Sequence, residues 1–183
     1  RVLFRSIPWR NGGGITRELV AWPDPHAWRW RISNAAVARD GPFSRFDGVE
    51  RWLAILSGAG VYLDFPDRTV TLTAKDAPLA FAGSEPVNCR LIDGPVQDLN
   101  LMLRHDTGPG AAAGQMRRVG GTARRQLEVA RAVAVYNLGQ AATLSLDGIA
   151  SALPQATLLW RHLPAGSTLD IEASSAICME MMD

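Results

Sequence analysis

Trp28, Trp30 and Ile32 alternate with Arg29, Arg31 and Ser33, the two-residue period of a β-strand. The same period returns in Trp52-Leu53-Ala54-Ile55-Leu56, which runs into the turn Ser57-Gly58-Ala59-Gly60 and out through Val61-Tyr62-Leu63-Asp64-Phe65. Thr69, Thr71 and Thr73 alternate with Val70 and Leu72, and Asp98, Asn100, Met102 and Arg104 alternate with Leu99, Leu101 and Leu103. Short segments of this kind, split by Gly, Pro and Asp, predict an all-β sandwich or barrel with few short helices. The best helical candidate, residues 122–131, has weak apolar spacing.

The grammar occurs twice. Residues 132–139 read like the strand and turn at 52–58, residues 142–148 like 61–67, and Leu163-Pro164-Ala165-Gly166 is a turn feeding another strand. Between the two stretches lies Gly108-Pro109-Gly110-Ala111-Ala112-Ala113-Gly114, followed by Gly120-Gly121. Residues 107–121 are therefore expected to be a flexible connection between a first barrel-like part, 1–106, and a second, 122–183, packed with it as one unit. Repetition on both sides of a connection points to a duplicated β-barrel.

Composition narrows the function classes. Of 183 residues, 47% are hydrophobic and 20% charged, enough to bury a core and too apolar for overall disorder. Nineteen basic against 18 acidic residues give a net charge of +1, which argues against nucleic acid as the partner. Cys89 and Cys178 show no CxxC spacing and are expected to be reduced and buried. Residues 1–9 lack the apolar core of a signal peptide, and no apolar run approaches the ~20 residues of a membrane span. A cytoplasmic protein is expected.

Two segments carry candidate chemistry. Trp9-Arg10-Asn11-Gly12-Gly13-Gly14-Ile15-Thr16-Arg17-Glu18 crowds polar groups around three glycines whose amides can cradle an anion. It lacks the Lys and spacing of a phosphate loop, and a plain glycine turn is the simpler alternative. On a strand, Asp98, Asn100, Met102 and Arg104 share one face. That face is either solvated or the polar lumen of a barrel that holds a polar ligand. Pooled with Arg17, Arg31 and Arg51, it would form a guanidinium-rich pocket suited to a small carboxylate. Glu18 and Asp98 could equally neutralise those arginines. His26, His105 and His162 are scattered, with neither HxH nor HExxH, so no metal site is expected and no cofactor is implied. There is no GxSxG elbow, and Gly58-Ala59-Gly60 is not a dinucleotide fingerprint.

Five segments, in order and spacing, resemble the HutD/Ves family: residues 9–18, Trp30-Arg31-Ile32-Ser33-Asn34-Ala35, residues 41–51, Phe81-Ala82-Gly83, and Gly94-Pro95-Val96-Gln97-Asp98-Leu99-Asn100-Leu101-Met102. Arg104-His105 stands where an Arg-Arg pair is common, and Ser84-Glu85 where Gly-Glu is common. The resemblance implies a bicupin, two double-stranded β-helix (jelly-roll) barrels in one chain. HutD-type members accompany histidine breakdown and are thought to moderate it, with an intermediate such as N-formylglutamate as proposed ligand; no enzymatic activity is established for the family. Ves-type members need not act there.

Residues and resemblance meet in one expectation, a metal-independent cupin that binds a small acidic metabolite. Arg17, Arg31 and Arg51 would grip carboxylates, and Asn11, Thr16, Ser33 and Asn100 would supply directional hydrogen bonds. The Gly13 amide and Arg104 complete the candidate set, and Glu18 and Asp98 would orient the arginines. The rival readings are a hydrolase or isomerase with Glu18 or Asp98 as general base, and a stress-related protein-interaction module. The expected partner is a small carboxylate, with neither nucleic acid nor membrane, and a second copy of the chain is a candidate partner.

Overall fold

A computed structural model describes residues 5–8, 12–105 and 114–182. Every regular element among them is a β-strand, sixteen in all, so the all-β expectation holds. No helix is long and apolar enough to cross a membrane among the described residues. The chain divides into two compact units, Arg1–Ala111 and Ala112–Asp183.

The first unit carries β1 (Arg5–Pro8), β2 (Gly14–Trp22), β3 (Trp30–Val37), β4 (Gly41–Pro42), β5 (Val49–Ser57), β6 (Val61–Asp64), β7 (Thr69–Leu72), β8 (Leu79–Ala82), β9 (Asn88–Leu91) and β10 (Val96–Arg104). They form a six-stranded sheet ordered β1-β2-β3-β10-β5-β8 and a four-stranded sheet ordered β4-β9-β6-β7. Val37, Leu53, Ile55 and Val96 of the first sheet pack in one cluster with Val61, Leu63, Leu72 and Cys89 of the second. That sheet-on-sheet core is what the two-residue period specifies. β10 runs antiparallel between β3 and β5, and both its faces are buried. Leu99, Leu101 and Leu103 occupy one face; Asp98, Asn100 and Met102 occupy the other. Trp28 and Trp30 belong to the buried set, as large aromatics in a β core commonly do.

The second unit carries β11 (Gly114–Gln126), β12 (Arg131–Asn137), β13 (Ala141–Leu146), β14 (Ile149–Pro154), β15 (Leu158–Leu163) and β16 (Thr168–Met181). β16 is its axis: β11 pairs along one edge, and β12 and β13 share the other. β13 and β14 form a hairpin through Asp147-Gly148, with φ of 49° and 83°, the left-handed pair that an Asp-Gly dipeptide suits.

Two sequence expectations are corrected here. Residues 114–121, assigned to a flexible connection, open β11: Gly114 pairs with Met181 and Val119 with Ala176. Gly120-Gly121 instead marks a β-bulge, with Gly121 at φ +84°. Residues 122–126, offered as the start of a helix, complete the same strand opposite Glu172 to Thr168. Pairing along the length of β16 overrides a weak helical spacing.

Candidate functional site

Strand register assembles the site on the buried polar face of β3, β10 and β5. Arg31, Met102 and Arg51 form one cross-strand row, Ser33 and Asn100 a second, and Ala35 and Asp98 a third. Period two carries all of them to the same side. A cavity of about 440 Å³ opens over these rows. Its polar wall is Thr16, Arg31, Ser33, Arg51, Asp98 and Asn100; Phe43, Phe46, Met102, Ala35, Ile7 and Pro8 supply apolar surface, with Pro42 and Ser44.

Arg51 is only 6% exposed. Its Nη2 donates to Asn100 Oδ1 at 3.0 Å, and Asn100 Nδ2 donates to Asp98 Oδ1 at 2.9 Å, so the amide relays between cation and acid. Arg51 Nη1 donates to the Ser44 carbonyl at 3.3 Å. The rings of Phe43, Phe46 and Phe81 lie 5.2, 5.7 and 5.0 Å from its Cζ and stabilise the buried cation. Burial nonetheless lowers its pKa to about 10; Asp98 opposes that, and Arg31 adds to it.

Arg31 lies between Trp28 and Phe46, at 5.2 and 5.6 Å, and its Nη2 contacts Met102 Sδ at 3.0 Å. Burial lowers its pKa, Glu18 raises it and Arg104 lowers it. The Nε atoms of Arg31 and Arg51 are buried and without a hydrogen-bond partner. Among the described residues neither guanidinium touches a carboxylate directly. Asp98 is 2% exposed. Burial pushes its pKa up to about 7, against the pull of Arg51, the Asn100 amide and the Ala35 backbone.

Six of the sequence-predicted residues therefore line one cavity: Thr16, Arg31, Ser33, Arg51, Asp98 and Asn100. Glu18 stands opposite Ser33 in register, and its charge reaches Arg31. Arg17, expected among the gripping arginines, is exposed and alternates with Thr16 on β2, so it faces away. Gly13 is buried and its carbonyl accepts from the Ala38 N–H, which ties the start of β2 rather than lining the cavity. Arg104 is exposed, 4.6 Å from the Trp28 ring, and acts on Arg31 only through its charge. Asn11 lies outside the described residues. The solvated-face alternative for Asp98, Asn100 and Met102 is overturned, since all three are buried.

Sequence reasoning missed the aromatic wall. Phe43 and Phe46 sit in an aperiodic segment after β4 that no strand period flags. Their available signal was two aromatics in a Gly-Pro-led loop next to a chain of arginines. Gly83 holds that wall. Its N–H donates to the Val49 carbonyl and its carbonyl accepts from the Phe46 N–H. A Cβ there would lie 2.5 Å from the Phe46 carbonyl oxygen and 2.8 Å from that of Val49. We expect Gly83→Ala to lower stability by about 1–3 kcal/mol, as overpacking does, and to weaken ligand binding by displacing Phe46. Denaturant unfolding and calorimetric titration check both.

Among the described residues no group of three or more His, Cys, Asp and Glu side chains is placed to hold a metal ion. Cys89 and Cys178 are both free and buried, and burial pushes their thiols up to about 12 and 11, away from reactive thiolates.

Comparison with known proteins adds a family. The HutD family model matches residues 2–179. Protein Ves of Citrobacter koseri is 39% identical over 108 residues, 56% of this chain and 56% of that protein. The chain thus spans about half the length of the curated relative it matches. A structure of HutD from Pseudomonas fluorescens SBW25 superposes with a TM-score of 0.83 at 27% identity, covering 98% of this chain and 94% of that one. A Cupin 2 conserved barrel domain protein from Leptotrichia buccalis superposes with a TM-score of 0.58 at 10% identity, covering 98% and 96%, which shows a cupin-like fold and nothing further.

Proposed function

The chain belongs to the HutD family, and from that premise we propose that it is a cupin-like binding protein for a small acidic metabolite that moderates histidine utilisation. One observation carries the reading: the guanidiniums of buried Arg51 and half-buried Arg31 stand on the wall of one cavity and lack a direct carboxylate partner among the described residues. A buried charge is costly unless paired. A ligand carboxylate supplies the missing partner, and the planar guanidinium fork meets its two oxygens. An acid with two carboxylates, such as N-formylglutamate, suits the pair Arg31 and Arg51, while Thr16, Ser33 and Asn100 offer directional hydrogen bonds. Phe43 and Phe46 cover its carbon chain. In this reading the arginines hold the acid without a metal, and each unit is one barrel of a bicupin.

Thermal unfolding against N-formylglutamate, glutamate, urocanate and histidine, with and without EDTA, tests it. A ligand present at 100 times its dissociation constant stabilises the fold by about 2.7 kcal/mol. We expect such a rise with an acid, unaffected by EDTA. No response to any acid, or a fall with EDTA, overturns the reading.

Asp98 favours a second reading, an enzyme acting on a similar acid. A cavity-lining carboxylate raised to about 7 is placed to exchange a proton near neutral pH. Turnover by the purified protein that is lost in Asp98→Asn would establish it.

A further inference from the structure

The second unit repeats a detail of the first. Arg51 lies two residues before Leu53, which pairs with Asn100, and Arg51 donates to Asn100. Arg131 lies two residues before Val133, which pairs with Glu180, and Arg131 donates to Glu180. On the opposite edge Ser33 pairs with Asn100, and Gln115 with Glu180. The same register position thus holds a neutral amide in one unit and a carboxylate in the other.

Around that carboxylate the charge is overfilled. Glu180 is 2% exposed. Besides Arg131, Arg125 Nε approaches Oε1 at 2.9 Å and Arg117 Nη2 at 3.9 Å. Arg125 comes near without a well-directed hydrogen bond to Oε1, and Arg131 Nε is buried without a partner. Among the described residues three guanidiniums therefore share one carboxylate, an excess of two positive charges. Arg117 also contacts Cys178 Sγ at 3.7 Å, and both Arg117 and Arg125 keep about a third or more of their surface open. Like charges held this close, at a partly dry site, cost free energy that an anion relieves.

We propose that Arg117, Arg125 and Arg131 around Glu180 form a second anion site, separate from the cavity of the first unit, that takes a doubly charged tetrahedral oxyanion of the phosphate type. Two excess charges match a dianion, and the open rim formed by Arg117 and Arg125 gives it access. Glu180 anchors Arg131 from the buried side and competes with the anion for the other two arginines.

The test is calorimetric titration of the full chain with inorganic phosphate, and with acetate as a monocarboxylate of smaller charge. We expect saturable phosphate binding at least about tenfold tighter than acetate. Arg117→Gln with Arg125→Gln, both on the rim and removable without opening the core, should weaken phosphate at least about tenfold, while Arg51→Met leaves it unchanged. Glu180→Gln should tighten it. Absence of saturable phosphate binding, acetate bound as tightly as phosphate and lost with the rim pair, or a phosphate affinity that falls with Arg51→Met but not with the rim pair, each overturns the proposal.

Discussion

Arg51→Met is expected to separate binding from stability: affinity for the small acid falls about ten- to a hundredfold, while the folded state becomes more stable by about 1 kcal/mol. A hydrogen bond to a charged group contributes about 1.5–3 kcal/mol, which sets the affinity loss. The gain comes from the cost of keeping this cation dry. Arg51 is almost wholly buried, its pKa is drawn down to about 10, its Nε has no partner, and its carboxylate is reached only through Asn100. Replacing a buried ion pair with apolar groups of similar size is often neutral or stabilising, and removing one partner is costly only where it leaves a lone charge, which a protonated Asp98 does not. Methionine fills much of the same volume, and its sulfur packs well against the rings of Phe43, Phe46 and Phe81. Asp98 then loses the opposing cation, and at pH 6 it remains protonated and hydrogen-bonded to Asn100. Denaturant midpoints at pH 6 and calorimetric titration with the responding acid measure the two effects. A variant that still binds fully, and is less stable by several kcal/mol, would make Arg51 a structural cation and remove the basis of the binding reading.

The strands of the site were legible because their period is local. Asp98, Asn100 and Met102 fall on one face of β10 whatever covers it, and so do Arg31 and Ser33 on β3. Burial of that face was not legible, because a second sheet brings Val61, Leu63 and Cys89 against it from distant positions in the chain. Arg17 shows the other limit: one residue decides the face of a strand, and Thr16 rather than Arg17 has the inward parity. Phe43 and Phe46 belong to a loop whose path no period encodes. The Glu180 cluster gathers Arg117, Arg125 and Arg131 only because β11 and β12 flank β16, a pairing of segments up to some sixty residues apart.

Asp98 should make stability fall as pH rises from about 4 to about 7. Its ordinary pKa of 3.8 is raised to about 7 in the folded state. Below pH 3.8 the carboxyl is protonated whether the chain is folded or not, and it adds no slope. Between 3.8 and 7 the unfolded chain releases the proton while the folded chain keeps it, so each rise in pH favours unfolding. Above 7 both states are ionised and the effect is complete, at ~4 kcal/mol for a gap of this size. Asp64 does not blur the window. Arg90 holds it at about 2, so its contribution is lost only as pH falls below about 4. Denaturant unfolding at pH 5 and pH 8 should therefore show the native chain less stable at pH 8, and Asp98→Asn should remove most of the difference. The same proton couples to ligand. A protonated Asp98 leaves the charges of Arg31 and Arg51 to the incoming carboxylate, and an ionised one competes for Arg51 through Asn100. Acid affinity should accordingly be tighter at pH 6 than at pH 8, and level in Asp98→Asn. Affinity that does not change with pH in the native chain would mean that Asp98 does not share the field of the bound acid, and that the ligand lies elsewhere.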